Sequence, residues 1–169
     1  MGKRITTVLG DIAPDQLGFT LSHEHVVQSL YRTTTYFRSI DEFKNVPKEK
    51  LTLCDENISF LRQGGWVFSE EAQRIDDDMY NSFIINELKE YKKAGGDSLL
   101  ECTVHGLEGR PVEDLKTYSR ESGVQMVRGA GFYVESTLPE DYIGRNEKEL
   151  KAILNQEIEN GLEGTDIKP

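Results

Sequence analysis

The order of the predicted elements restricts the fold of this chain more than any other feature of its sequence. Apolar residues at helical spacing occupy about 76–94, 112–123 and 146–161, and short apolar runs typical of buried strands lie between them. A strand at about 19–24 comes first, separated from the first helix by a long segment. Strands that alternate with helices are typical of βαβ units and a parallel sheet. We therefore predict an α/β fold.

The N-terminal segment predicts a β-hairpin that leads into the first strand of the sheet. The run RITTVLGDIAPDQLGFTLSHEH holds two β-rich stretches separated by GDIAPDQLG, whose glycines, proline and aspartates favour turns. After that strand, residues 28–65 are polar and poorly periodic, apart from a short helix expected after Pro47. We interpret 28–65 as a long insertion loop within one domain that covers residues 1–169.

The helical segments indicate which side chains form the core. In the first helix, Ile84, Leu88 and Tyr91 recur at helical spacing. In the second, Pro111 suits the first turn and Gly123 suits the end. The third is predicted to bury one face, made of Leu150, Ile153, Leu154 and Ile158.

Two parallel architectures fit this order of elements. A doubly wound sheet carries a glycine-rich phosphate loop after its first strand, and SHEHVVQ has no such glycines. A (β/α)8 barrel places its chemistry at the carboxyl ends of its strands. The chain has three histidines and one tyrosine at such ends: His23, His25, His105 and Tyr133. A complete barrel takes about 250 residues, so this chain is predicted to be the N-terminal part of a TIM barrel.

The triplet His23-Glu24-His25 is the main candidate for chemistry. Side chains two residues apart on a strand project to the same face, so the two imidazoles face one space while Glu24 points the other way. Two imidazoles near one point are half of a site for zinc or a neighbouring metal. An isolated HxH triplet more often occurs by chance or serves hydrogen-bonded packing than binds a metal. Its position near the end of a barrel strand favours metal binding.

His105 and Tyr133 are further candidates, each with an alternative role. His105 follows the second strand, either as a third metal ligand or as a loop residue that contacts substrate or solvent. Tyr133 ends the third strand, where its phenol either contacts a bound substrate or closes off the core.

Three other polar side chains favour structural roles. Glu101 and Cys102 alternate in direction, so one of them faces the interior. We expect Cys102 to be buried as a small apolar residue and Glu101 to bond neighbouring loops. Arg110 follows a glycine and either binds an anion or forms an ion pair that fixes its loop to a helix.

Composition and missing motifs exclude several classes of function. The formal charge of −10 repels phosphates, so we expect neither a nucleic-acid nor a membrane partner. The sequence lacks GxSxG, a Walker loop and HExxH. It also lacks an apolar N-terminal leader and any long apolar run. Its two cysteines are not paired in spacing, and we predict reduced thiols in a cytoplasmic protein.

Three segments of the chain, taken in order, resemble the phosphotriesterase family of the amidohydrolase superfamily, in particular its phosphotriesterase-like lactonase branch. They are LGFTLSHEHV, KKAGGDSLLECTVHGLEGRPVEDLKTYSRESGVQMVRGAGFYV and IENGLEGTDIKP. The resemblance runs through nearly the whole chain and is weakest over about 30–65. The HEH triplet, the glycine-arginine loop and the GAGFY strand are specific only in combination.

The resemblance implies a (β/α)8 barrel that binds two divalent metal ions, with zinc as the first expectation and manganese, cobalt or iron as alternatives. By the same resemblance, His23 and His25 are ligands of the more buried ion, and Tyr133 contacts the substrate beside the metals. His105 is a weaker candidate for substrate contact. The implied activity is hydrolysis, in which a metal-bridged hydroxide attacks a small-molecule lactone, carboxyl ester or phosphotriester.

The sequence departs from the family pattern in two respects. The family's loop reads Gly-Arg-Asp, whereas here Arg110 precedes Pro111 and Glu108 is an additional residue. The family's bridging lysine or glutamate and its later ligands come from strands beyond residue 169, and Lys168 is not assigned the bridging role. We therefore expect the chain alone to be inactive. The alternative is a truncated or split-gene product with an assembly role, completed by a C-terminal half or by self-association.

Overall fold

The computed structural model describes residues 2–30, 45–73 and 78–169, and the seven strands and four α-helices named here belong to those ranges. The strands are β1 (Ile5–Thr7), β2 (Gly10–Ile12), β3 (Thr20–Glu24), β4 (Gln28–Ser29), β5 (Ser98–Glu101), β6 (Glu108–Gly109) and β7 (Gln125–Arg128). The helices are α1 (Ile58–Arg62), α2 (Asp78–Lys93), α3 (Asp114–Ser122) and α4 (Glu147–Asn160).

The central sheet is parallel, in the order β3-β5-β7. Helix α2 connects β3 to β5 along the chain, and α3 connects β5 to β7. Parallel neighbours need such crossovers because a short turn cannot bring the chain back to the same end of the sheet. The alternation of strands and helices predicted from the sequence is confirmed.

The predicted N-terminal hairpin is present, with β1 and β2 paired antiparallel. Part of the segment expected to break regular structure, Gly10–Ile12, is itself the second strand of the hairpin. The backbone N–H of Val8 donates to the carbonyl of Met126 at 2.9 Å, which attaches the hairpin to the end strand β7.

The core lies between the sheet and helices α2 and α3. Leu99 and Met126 are opposite each other on β5 and β7 and pack with Leu88 and Leu115 in one buried cluster. On the face of β5 and β7 that carries Leu99 and Met126, every residue of the two strands is buried. On the opposite face, Leu100 and Val127 are half-buried. The described residues thus cover the helix side of the sheet and leave its other side open.

Of the two predicted signals at the ends of α3, Gly123 is confirmed, whereas Pro111 lies before the helix rather than in its first turn, because α3 begins at Asp114. Gly123 ends α3 with φ +73, which is a left-handed conformation. This conformation is unfavourable for residues with a Cβ atom but not for glycine. Asn146 starts α4 with a capping box, in which its side chain accepts from the N–H of Glu149. Ile84 and Leu88 are buried on α2, as their spacing predicts.

The prediction that one face of α4 is buried is wrong at the C-terminal end of the helix. Ile158 is 54% exposed, while the neighbouring Glu157 is 7% exposed. The physical reason is a polar contact: the Glu157 carboxylate pairs with His105, which follows β5, so the helix turns this acidic side chain inward. The other three residues of that face are half-buried.

The segment read as an insertion loop is described only in part, because its residues 31–44 lie outside the described ranges. A short 3-10 helix at Lys48–Leu51 follows Pro47, as predicted. Strand β4 pairs antiparallel with β6 to form a two-residue ribbon. The sequence does not predict this ribbon, since two residues carry no periodicity.

The loop before β3 requires glycine at position 18. Gly18 has φ +61, and a Cβ there would lie 2.2 Å from Oδ2 of Asp97. That carboxylate accepts the N–H of Phe19 at 3.0 Å and pairs with Lys92 at the end of α2. The close approach fixes the entry to β3 against the end of α2.

Candidate functional site

His23 lies within a β-bulge of β3, and His25 follows that strand. Leu21 pairs with Leu99 and Glu24 with Glu101, so two residues of β3 oppose one residue of β5 between these pairs. Strict alternation from Leu21 would place His23 on the core face. The extra residue moves His23 off that face, and the side chain is exposed.

His23 and His25 lie side by side, as the sequence predicts. Their ring centroids are 5.4 Å apart and their planes are inclined by 70°. His25 is half-buried, and burial lowers the pKa of its imidazole below the ordinary value. The Glu101 carboxylate opposes this lowering, and His23 adds to it. A neutral imidazole is the form that a metal ion requires.

A buried polar chain lies directly behind His25. Its Nδ1 is 3.0 Å from Oγ1 of Thr103, whose hydroxyl donates to Oε1 of Glu101. The other carboxylate oxygen, Oε2, accepts the Thr103 backbone N–H at 3.2 Å and pairs with Nε of Arg128 at 3.1 Å. Glu101 is 2% exposed and Arg128 is 8% exposed, so this is a buried ion pair.

The expected roles of Glu101 and Cys102 change in the structure. Cys102 is half-buried rather than buried, and Glu101 is the buried residue of the two. Glu101 shares the face of Leu99 by alternation, and it is stabilised there by Arg128 on the next strand. Its partners are therefore on its own segment and on β7 rather than on neighbouring loops.

His105 belongs to a second cluster. Its Nε2 is 2.5 Å from Oε1 of Glu157, and its ring packs against Phe132 and Tyr142 with centroid distances of 5.3 and 4.9 Å. Burial raises the pKa of the Tyr142 phenol, and the charge of Glu157 adds to the rise. Within the described part of the chain, His105 does not join His23 and His25 in a metal-binding group.

A cavity of about 400 Å³ lies on the same side as this second cluster. Its polar lining includes Glu101, Thr103, His105, Arg128 and Glu157, and His23 and His25 are not among its lining residues. The two histidines therefore do not form the wall of this cavity, although Thr103, which His25 contacts, does.

Tyr133 lies on the loop after β7, and Arg110 directly follows β6. The Tyr133 N–H donates to the His105 carbonyl at 2.7 Å, which extends the parallel pairing beyond the two strands. Its side chain is 47% exposed, so it does not close off the core and is accessible to a ligand. Arg110 pairs with Asp114 of α3 at 2.6 Å, which confirms the predicted ion pair between loop and helix.

The donor set fits half of a metal site. Two imidazoles face one space, and Nε2 of His25 has no hydrogen-bond partner among the described residues. A zinc site takes four ligands, and across residues 2–30, 45–73 and 78–169 no three metal-binding side chains converge. His23 and His25 therefore fit as two ligands of a site whose other ligands are not on the described residues.

Sequence reasoning missed the roles of Thr103, Arg128 and Glu157. Each is a polar residue inside or next to a segment predicted from its apolar neighbours. A signal was present for Arg128, since a charged residue within a buried strand needs a partner of opposite charge, and Glu101 lies at the matching position of the preceding strand.

Among the described residues, no helix has the length and apolar character of a membrane span.

The model of the phosphotriesterase family matches residues 3–169. N-acetyltaurine hydrolase of Salmo salar is 32% identical over 168 residues, which cover 99% of this chain and 46% of that protein. A phosphotriesterase-related protein of Nematostella vectensis is 32% identical over 163 residues, which cover 96% of this chain and 45% of that protein. The chain thus spans less than half the length of these relatives.

Solved structures agree with these matches. A resiniferatoxin-binding protein from Rhodobacter sphaeroides superposes with a TM-score of 0.74 at 31% identity, covering 98% of this chain and 44% of that one. A mutant of organophosphorus hydrolase from Deinococcus radiodurans superposes with a TM-score of 0.61 at 19% identity, covering 98% and 41%. The likeness confirms the predicted fold, the N-terminal part of a (β/α)8 barrel.

Proposed function

Because the chain belongs to the phosphotriesterase family, we propose that it forms the N-terminal part of a metal-dependent hydrolase that acts on an ester, lactone or phosphotriester bond of a small molecule. The names of two similar proteins, an N-acetyltaurine hydrolase and an organophosphorus hydrolase, support hydrolysis as the reaction class. The activity belongs to a longer barrel than residues 1–169, since the chain covers 46% of the first of these relatives.

The observation that carries this proposal is the placement of His23 and His25. A β-bulge moves His23 off the core face, and a buried hydrogen-bond chain supports His25 from behind. The two rings lie side by side at the carboxyl end of a parallel strand, which is where barrel enzymes bind their ligands.

The residues of this chain have separate roles in the proposed site. His23 and His25 bind one of two divalent ions, with zinc preferred because it is commonly bound by imidazole nitrogen. When bound, the metal pair supplies Lewis-acid activation of water and of the substrate. Tyr133, exposed after β7, contacts the substrate, and His105 is the weaker candidate for such a contact. The cytoplasmic location stays a prediction from the sequence.

A fusion protein tests the proposal. Residues 1–169 are joined to the part of the Rhodobacter sphaeroides relative that follows the matched 44% of that chain. The fusion and residues 1–169 alone are loaded with zinc, manganese or cobalt and assayed against lactones, aryl phosphotriesters and N-acetyltaurine. We expect metal-dependent turnover by the fusion only, since two imidazoles do not complete a site.

Single variants identify the ligands in the same fusion. His23→Asn and His25→Asn are expected to lower metal content and abolish turnover, whereas His105→Asn is the matched control and keeps its metal content. Metal-dependent turnover by residues 1–169 alone, or full metal content in the His25→Asn variant, would contradict the proposed site.

A second candidate function is assembly with another polypeptide. The side of the sheet opposite the helices is open in the described residues, where Leu100 and Val127 remain half-buried. An open sheet favours pairing with a further chain, either a C-terminal half or a second copy. Sedimentation of purified 1–169 distinguishes the cases, because a stable monomer at all concentrations counts against self-association.

A further inference from the structure

The hydrogen bond between His25 and Thr103 has a donor and an acceptor that the neighbouring groups determine. The two atoms, Nδ1 and Oγ1, are 3.0 Å apart, and either atom could donate if the pair were isolated. Thr103 is 5% exposed, so water does not readily take part. The question is which atom carries the hydrogen between them.

Glu101 settles the direction of this bond. Its carboxylate pairs with the always-charged guanidinium of Arg128 and accepts the Thr103 backbone N–H, so it acts only as an acceptor. The Thr103 hydroxyl donates its single hydrogen to Oε1 of that carboxylate. Oγ1 of Thr103 then has only lone pairs left for His25. Nδ1 of His25 must therefore donate the hydrogen of this bond.

We propose that Thr103 and Glu101 are positioning residues that hold His25 as its Nδ1–H tautomer, so that Nε2 is the atom His25 presents to a metal ion. The statement about the metal rests on the proposed function, whereas the tautomer follows from the hydrogen bonds alone. Partners behind a ligand histidine fix both its tautomer and its ring orientation. Arg128 takes part indirectly, because its ion pair keeps Glu101 an acceptor.

The arrangement is specific to one histidine of the pair. His23 is exposed and has no comparable partner among the described residues, so its tautomer is free to follow solvent or a ligand. His25 and His23 therefore serve as test and internal reference within one sample.

Nitrogen-15 NMR of the imidazoles in the full 169-residue chain, without metal and at about pH 8 where imidazoles are neutral, reads the tautomer directly. We expect His25 to be in the Nδ1–H form in the wild type and in Thr103→Ser, which retains a hydroxyl. In Thr103→Val, which lacks it, a mixture with the Nε2–H form is expected. The matched control is Thr137→Val, which removes another buried threonine hydroxyl that donates to a backbone carbonyl.

Several outcomes would overturn the proposal. One is an Nε2–H His25 in the wild type, and another is an unchanged His25 signal in a natively folded Thr103→Val variant. If Thr103→Val does not fold by circular dichroism, the wild type and Thr103→Ser still decide, because each must show the Nδ1–H form.

Metal affinity separates this proposal from the proposed function. In the fusion protein, Thr103→Val is expected to weaken cobalt binding by about 10- to 100-fold, the usual effect of losing a partner behind a ligand histidine. Thr137→Val should not change it. A chain with Nδ1–H His25 whose fusion binds no metal would support the hydrogen-bond assignment and overturn the proposed function.

Discussion

The buried phenol of Tyr118 should lower the free energy of unfolding at alkaline pH, and the substitution Tyr118→Phe should remove this loss. The side chain is 1% exposed and its hydroxyl donates to Oδ1 of Asn81 at 2.5 Å, which connects α3 to α2. Burial, with a contribution from the negative charge of Asp114, raises the pKa of this phenol from 10.0 to about 12. The folded protein therefore resists ionisation that the unfolded chain undergoes freely.

The sign and size of the effect follow from linkage. Because the unfolded chain loses the proton first, the free energy of unfolding is unaffected below pH 10.0 and falls as the pH rises towards about 12. Each unit of pKa difference is worth about 1.4 kcal/mol, so the full loss is about 2–3 kcal/mol. Tyr118→Phe removes this loss, and it removes a hydrogen bond worth about 1 kcal/mol.

The wild type and Tyr118→Phe should therefore exchange their order of stability. At pH 8 the variant is expected to be about 1 kcal/mol less stable. The two free energies should become equal between pH 10 and 11, where the wild type has lost about 1 kcal/mol. Urea unfolding followed by circular dichroism at intervals from pH 8 to 12 measures the difference. Ionisation of other residues cancels in it, because both proteins contain them.

A matched control removes an exposed phenol instead. Tyr133 is 47% exposed, so Tyr133→Phe removes no buried hydroxyl and should change the free energy of unfolding little at pH 8. If Tyr118→Phe kept a constant difference from the wild type up to pH 12, the assignment of a strongly perturbed, buried phenol to Tyr118 would be refuted.

Other predictions concern the loop before β3 and the buried ion pair, and all can be measured by urea unfolding. Gly18→Ala should be more destabilising than Gly123→Ala, because both positions have positive φ but only at Gly18 would the new Cβ collide, with Asp97; equal losses would contradict the close approach. The Lys92 hydrogen bond lowers the pKa of Asp97 below 3.8, so the ionised Asp97 carboxylate stabilises the fold above pH 3.8. This stabilisation is lost as the pH falls through the lowered pKa, and Asp97→Asn should therefore make the free energy of unfolding less dependent on pH in the acid range. Arg128→Met leaves Glu101 buried without its charged partner and should cost about 3–5 kcal/mol, and adding Glu101→Leu should recover part of that loss; a double variant less stable than Arg128→Met would count against a buried ion pair.

The fold was largely predictable because its elements carry strong local signals. Ile84 and Leu88 at helical spacing and Gly123 at a helix end are determined by neighbours in the sequence, and the structure agrees with them. The ribbon of β4 and β6 and the inward turn of Glu157 depend on contacts across 50 or more residues of chain, and local patterns do not report such contacts.

The candidate site was predictable only in its outer features. The spacing of His23 and His25 indicates that they face together, and the structure places their rings side by side. The groups behind His25 could not be predicted, because Thr103 and Glu101 belong to another strand segment and act through the direction of individual hydrogen bonds. Whether the pair binds a metal stays a prediction.

The bulge in β3 has a consequence for protein engineering. Leu21 anchors the strand in the core, and the histidines two and four positions later would share its side in a regular strand. Regular pairing of the same residues, without the bulge, would exchange the buried and open sides of the segment while leaving both imidazoles in the sequence. A designer who transplants the HEH triplet into another parallel barrel must therefore transplant the irregular backbone with it, because the spacing of the triplet alone does not determine which side it occupies.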